Sequence, residues 1–141
     1  MQILEKFCIQ PLWFGGTDNA SSGLDMLHKC ETVTGAEKIT EDGLYWGGDP
    51  SQAQDAMVDP ALGRVVTGFD FKFFVQNTNW LTKSVERQLE DGVWFPAQVS
   101  TEILFKSRDR MGTQKAKPLW TEIMELMGGD YQKVKDRFYE M

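Results

Sequence analysis

Two short runs, Leu12-Trp13-Phe14-Gly15-Gly16 and Leu44-Tyr45-Trp46-Gly47-Gly48, constrain this chain more than any other feature in it. Each is an apolar, aromatic stretch that stops on a pair of glycines. The stretch reads as a buried strand, and the glycines let the backbone leave it through conformations that a Cβ disfavours. Gly15, Gly16, Gly47 and Gly48 are therefore expected to be structural turns, the corners of a folded sheet. A phosphate cradle is the competing reading, since Gly47-Gly48 precedes a predicted helix and helix N-termini attract anions. Against it, Asp49 places negative charge at that end and Pro50 removes an N–H. Neither GxGxxG nor GxxxxGK[ST] occurs. No cofactor is expected.

Between and after these runs the pattern alternates without regular order. Asp18 to Gly23 is a polar loop, and Leu24 to Lys29 has Leu24, Met26 and His28 on one face, as a second strand hairpinned to the first would. Asp42-Gly43 turns the chain into the second aromatic strand. Asp49 as N-cap, Pro50 at the first helical position and Gln52 at capping-box spacing predict a helix over 50–58, ended by Asp59-Pro60. Phe69 to Gln76 is the clearest strand, with Phe69, Phe71, Phe73 and Val75 alternating against Asp70, Lys72, Phe74 and Gln76. Asn79 is placed to cap a helix from Trp80 to about Glu90, with Leu81, Val85 and Leu89 as its buried stripe. Val93-Trp94-Phe95 reads as a short strand, and Ser100 to Phe105 fits strand or helix equally. Pro118 opens a helix with Leu119, Ile123, Leu126 and Met127 on one face, stopped by Gly128-Gly129. The tail carries Tyr131, Val134 and Phe138 on one side. This mixture is an α+β domain occupying residues 1–141, not a doubly wound one.

Composition narrows the function. The 141 residues suffice for a hydrophobic core, and 41% hydrophobic with 26% charged residues is ordinary for a globular domain. No apolar run reaches the roughly 20 residues that span a bilayer. The first residues resemble neither a signal nor a transit peptide, so the chain as written reads as cytoplasmic. A net charge of −6 argues against nucleic-acid binding, which draws its affinity from cations on phosphates. The densest basic stretch, residues 106–117, is diluted by Asp109 and reads as a solvated loop. Cys8 and Cys30 form no CxxC pair, and with one histidine no zinc-ligand spacing exists.

Candidate functional residues are few. Nucleophilic catalysis would have to use His28, and a lone histidine beside Leu27 on a strand reads as a satisfied, partly buried side chain. Glu86, Glu90 and Asp91 read as a charged outer helix face. Trp80 and Trp94 bracket that helix, either anchoring it to the sheet or, if exposed, offering a binding surface. No reaction emerges from these residues, and the chain reads as non-enzymatic.

Taken in order, Pro11 to Gly16, Gly23-Leu24 with Leu27-His28, Gly43 to Asp49, Phe71 to Phe74, Asn79-Trp80, Glu86, Leu89 and Gly92-Val-Trp94 resemble the C-terminal two-thirds of the AlgH/YqgE family over residues 11–128. Thr17 departs from that family's proline after the first Gly-Gly, and Asn79 from its glycine before the tryptophan. Lys83-Ser84-Val85 stands where the family has Gly-Gln-Leu. The resemblance implies a bent, pseudo-barrel-like mixed sheet flanked by helices, here lacking the family's first strands, and no established reaction. It also implies a plastid address if an N-terminal extension exists. The family is commonly labelled a transcriptional regulator. The expectation is thus a binding domain for a protein or small ligand, with His28, Trp80, Glu86 and Trp94 as its candidate patch. Nucleic-acid binding is the alternative.

Overall fold

A computed structural model of the chain describes residues 5–16, 24–58, 61, 63–106 and 118–140. The polar loop before Leu24, the Asp59-Pro60 stop and nearly all of the basic 106–117 loop lie outside them. The chain divides into two compact units, residues 1–88 and 89–141.

The first unit is built on a mixed, open five-stranded sheet. Its strands are β1 (Leu12–Phe14), β2 (Leu24–His28), β3 (Ala36–Thr40), β4 (Leu44–Gly47) and β5 (Phe71–Val75), in spatial order β1-β5-β2-β4-β3. The expected β1–β2 hairpin does not form. β5 lies between them, parallel to β1 with Phe14 opposite Val75, and antiparallel to β2 with Met26 opposite Phe73. In this middle place β5 puts Phe71 and Phe73 into the core, both buried. One face carries Met26, His28, Phe71 and Phe73, all buried, with Phe7 edge-on to Phe71 and Phe73 at 5.2 and 4.7 Å. Cys30, Val33, Val66 and the α1 (Pro50–Ala56) residues Ala53 and Ala56 complete that core.

The other face is aromatic, where simple alternation predicts a polar one. Trp46 and Phe74 lie 5.8 Å apart, and the ammonium of Lys72 sits 4.2 Å from the centre of the Trp13 ring. Lys72 is consequently only 8% exposed, its stem covering apolar surface and its charge held over a π face. Phe69 leaves the alternation altogether. It belongs to a 3-10 turn, Gly68–Asp70, capped by Thr67 with Asp70 closing the capping box, and is exposed.

Two helix starts also differ from expectation. Asp49 caps α1 as its position suggests, accepting from the Ser51 amide at 2.8 Å. Gln52 does not turn back to the cap, because its Oε1 is taken by the Thr34 amide at 2.9 Å. Asn79 caps nothing: it donates to Asn77 Oδ1, and a turn from Leu81 to Ser84, with Lys83 at φ 64°, delays helix α2 to Ser84–Glu90. The boundary between the two units falls inside α2.

In the second unit, residues 93–95 form no strand. Three residues before a proline, with no ladder partner among the described residues, cannot hold one. The ambiguous segment resolves as helix α3 (Thr101–Phe105), because Ser100 accepts from the Ile103 amide and caps it. Helices α4 (Leu119–Met127) and α5 (Gly129–Glu140) follow, separated by Gly128 at φ 67°. They pack through Trp120, which meets Phe138 edge-on at 5.2 Å and stacks on Tyr139. Lys135 of α5 bonds Glu125 of α4 at 2.7 Å. Leu126 and Met127, placed by periodicity on the packed face of α4, are exposed instead, because the contact with α5 is made by Trp120.

Candidate functional site

The registers place the ends of the sheet. β1, β4 and β5 run one way, and β2 and β3 the other. Both Gly-Gly pairs therefore leave the sheet at one end. At the opposite end β2 runs out at Lys29, β3 turns into β4, and β5 begins behind Asp70.

His28 joins the two ends. It is fully buried, stacked on Tyr45 and Phe71 at 5.7 and 5.6 Å between ring centres. The Cys30 amide donates to Nδ1 at 3.2 Å, which puts the ring proton on Nε2, and Nε2 donates to the Gly47 carbonyl at 3.1 Å. Both nitrogens are thus committed to backbone. Burial lowers the imidazole pKa below 6.5, partly opposed by the Gly47 carbonyl, so the ring is neutral near pH 7. In this state His28 acts as a cross-strand brace that positions the second glycine turn.

The other residues of the expected patch are taken unit by unit. Trp80 is exposed and donates to Gln88 at 3.4 Å, and Glu86 is exposed on α2. Trp94 is half-exposed in the second unit. Within the first unit, His28 is thus buried while Trp80 and Glu86 are exposed.

At the charged end of the sheet the structure gathers a cleft of about 360 Å³ lined by Lys29, Glu31, Asp42, Gly43, Tyr45, Arg64 and Asp70. Asp70 organises one wall. Its Oδ2 accepts from the Thr67 amide at 2.9 Å, while Oδ1 faces Lys29 at 3.4 Å and Arg64 at 3.5 Å. Arg64 also donates to the Lys29 carbonyl. The opposite wall is the β3–β4 turn. There the Thr40 hydroxyl bonds Asp42, and Gly43 takes φ 93° while its amide reaches the Thr40 carbonyl. The Tyr45 ring, stacked on His28, also lines the cleft. These lining residues carry no short motif. The one available signal is Thr67-Gly-Phe-Asp70, a capping-box spacing that fixes Asp70.

Among the described residues, no group of three His, Cys, Asp or Glu could hold a metal, and no helix is long and apolar enough to cross a membrane. The described cysteines are free thiols, Cys8 exposed and Cys30 buried.

Comparison with known proteins agrees with the motif order. The profile described as AlgH-like matches residues 1–132. A UPF0301 protein of Chlorobium limicola is 25% identical over 89% of this chain and 60% of its own length. Its counterpart in Chlorobaculum tepidum is 26% identical over 86% and 59%. That of Chlamydia abortus is 27% identical over 89% and 57%. The chain thus spans about three-fifths of the length of these curated relatives. No solved structure matches it. With a profile covering nearly its whole length, the chain belongs to the AlgH-like family.

Proposed function

We propose that this domain is non-enzymatic and works by binding a small polar ligand in the cleft between Asp70 and the β3–β4 turn. The observation that carries this is the cleft itself, where charges of both signs converge around Tyr45 in a volume suited to a small molecule. The commitment of His28 supports the non-enzymatic part. The chain's one imidazole spends both nitrogens on backbone and stands behind Tyr45 in the core, so it offers no general base. A regulatory role fits such a binder, with ligand occupancy as the signal.

The test is an amide chemical-shift screen of the full chain against a panel of low-mass polar metabolites. At least one is expected to shift Lys29, Gly43 and Tyr45 saturably. A panel that leaves those amides unmoved contradicts the proposal. A mobility shift on DNA or RNA at low salt, lost on adding salt, would favour the nucleic-acid reading instead.

A further inference from the structure

We propose that α5 is a self-association surface, through which two copies of this chain pair antiparallel, apolar stripe to apolar stripe, across a two-fold axis near Val134. All the residues involved belong to the second unit. Tyr131, Val134 and Phe138, spaced three and four residues apart, form one stripe along α5. A stripe of this kind is ordinarily covered, yet Tyr131 is 38%, Val134 57% and Phe138 59% exposed. Packing within the unit reaches only its flank. Phe95 meets Tyr131 edge-on at 6.1 Å and Trp120 meets Phe138, while Lys135 and Tyr139 mark the side of α5 that is turned to α4.

The charges around the stripe say what covers it. Asp130, Asp136 and Glu140 balance Lys133, Lys135 and Arg137, so α5 offers no net charge to an anionic membrane or to a strongly charged partner. The distribution is complementary to itself instead. Asp130 and Arg137, both exposed, flank the stripe on the side away from α4, two turns and about 10.5 Å apart along the helix. Their midpoint falls beside Val134. A two-fold axis there sets each Asp130 against the partner's Arg137 while the stripe meets itself, whereas parallel pairing would bring like charges together. Asp130 also bonds Lys133 at 2.9 Å within the helix, an exposed pair of the kind that contributes little and so competes weakly. Burial of the stripe supplies the affinity, and the ion pairs fix the orientation.

The experiment is sedimentation velocity of the full chain over a concentration series from micromolar to millimolar, with Val134→Asp, Asp130→Arg and Arg137→Asp as variants. All three positions are exposed, so the fold is expected to survive, which far-ultraviolet circular dichroism checks. The parent should show a reversible monomer–dimer equilibrium, and Val134→Asp should stay monomeric throughout. Each charge reversal should weaken the dimer about tenfold, and an equimolar mixture of the two reversals, in which opposite charges meet again at both contacts, should recover it. A parent that is monomeric at every concentration overturns the proposal. A dimer that survives Val134→Asp uses another surface and overturns it as well. A mixture no tighter than either reversal alone contradicts the antiparallel register. Capture of a monomeric parent by phosphatidylglycerol vesicles, lost in Val134→Asp, would assign the stripe to a membrane surface instead. None of these variants touches a residue lining the cleft, so the metabolite screen stands or falls separately.

Discussion

At the glycine end of the sheet three of the four paired glycines leave no room for a side chain. A Cβ on Gly15 would stand 2.5 Å from the Gln76 carbonyl oxygen, and one on Gly16 would stand 2.2 Å from Thr78 Oγ1. One on Gly48 would stand 2.6 Å from Val33 Cγ1. At the other end the chain spends its long charged side chains, Lys29, Arg64 and Asp70, on the walls of an open cleft. The first end is closed by neighbours packed directly onto glycine backbone; the second carries ion pairs. Stability should therefore concentrate at the glycine end and binding at the charged end. His28 is where they meet, because it braces Gly47 while its neighbour in sequence, Lys29, enters the cleft.

The largest effect is expected from cutting that brace. His28→Ala removes a fully buried ring and strands the Gly47 carbonyl and the Cys30 amide, costing about 3–5 kcal/mol by denaturant unfolding. A loss below about 1 kcal/mol would mean that the ends are not joined through this residue.

Next come the glycines, and the two pairs should respond differently. Gly47 and Gly48 both take positive φ, 78° and 89°, but only Gly48 is also crowded. Gly48→Ala should cost about 2–4 kcal/mol, from backbone strain plus overpacking, and Gly47→Ala only the strain of about 1–2 kcal/mol. Gly16 lies outside the left-handed region, and its requirement is steric alone. Gly16→Ala should cost about 1–3 kcal/mol through displacement of residues 77–78. Equal costs at Gly47 and Gly48 would remove crowding from the explanation.

A smaller effect follows from pH. The folded pKa of His28 lies below the 6.5 of the unfolded chain, so between those values the unfolded state binds more protons. Stability from this group is complete above pH 6.5 and declines as pH falls toward the folded value. The ring resonances of His28 should stay at their neutral positions while pH passes through 6.5. Titration at 6.5 would show that the ring is not sealed.

Much of the fold is legible in the sequence where the signal is local. Asp49-Pro50 marks the α1 start, Asp42-Gly43 the hairpin turn, and the Phe71–Phe73 alternation the core strand, because caps, turns and period-2 patterns act over a few residues. The pairing of β1 with β5 is not legible, since it joins residues some 60 apart by position and no local signal marks it. The sequence makes the glycine pairs turns for conformational reasons. That reason applies to Gly47 and Gly48, whereas Gly15 and Gly16 are needed for close approach, which only the fold reveals. The cleft was invisible for the same reason. Lys29, Tyr45, Arg64 and Asp70 are ordinary surface residue types, brought together by strand register and by the contacts of Arg64 with Asp70 and the Lys29 carbonyl.

The most direct test of this division is one variant with two readouts. Arg64→Gln touches the cleft and leaves the glycine end intact, and its ion pair with Asp70 is partly exposed. The account predicts a thermal midpoint within about 3 °C of the parent, since such pairs contribute little. It also predicts loss of most of the ligand-induced shifts at Lys29, Gly43 and Tyr45. Binding that persists unchanged in Arg64→Gln, or ligand shifts that map to Gly15, Gly16, Gly47 and Gly48, would contradict it.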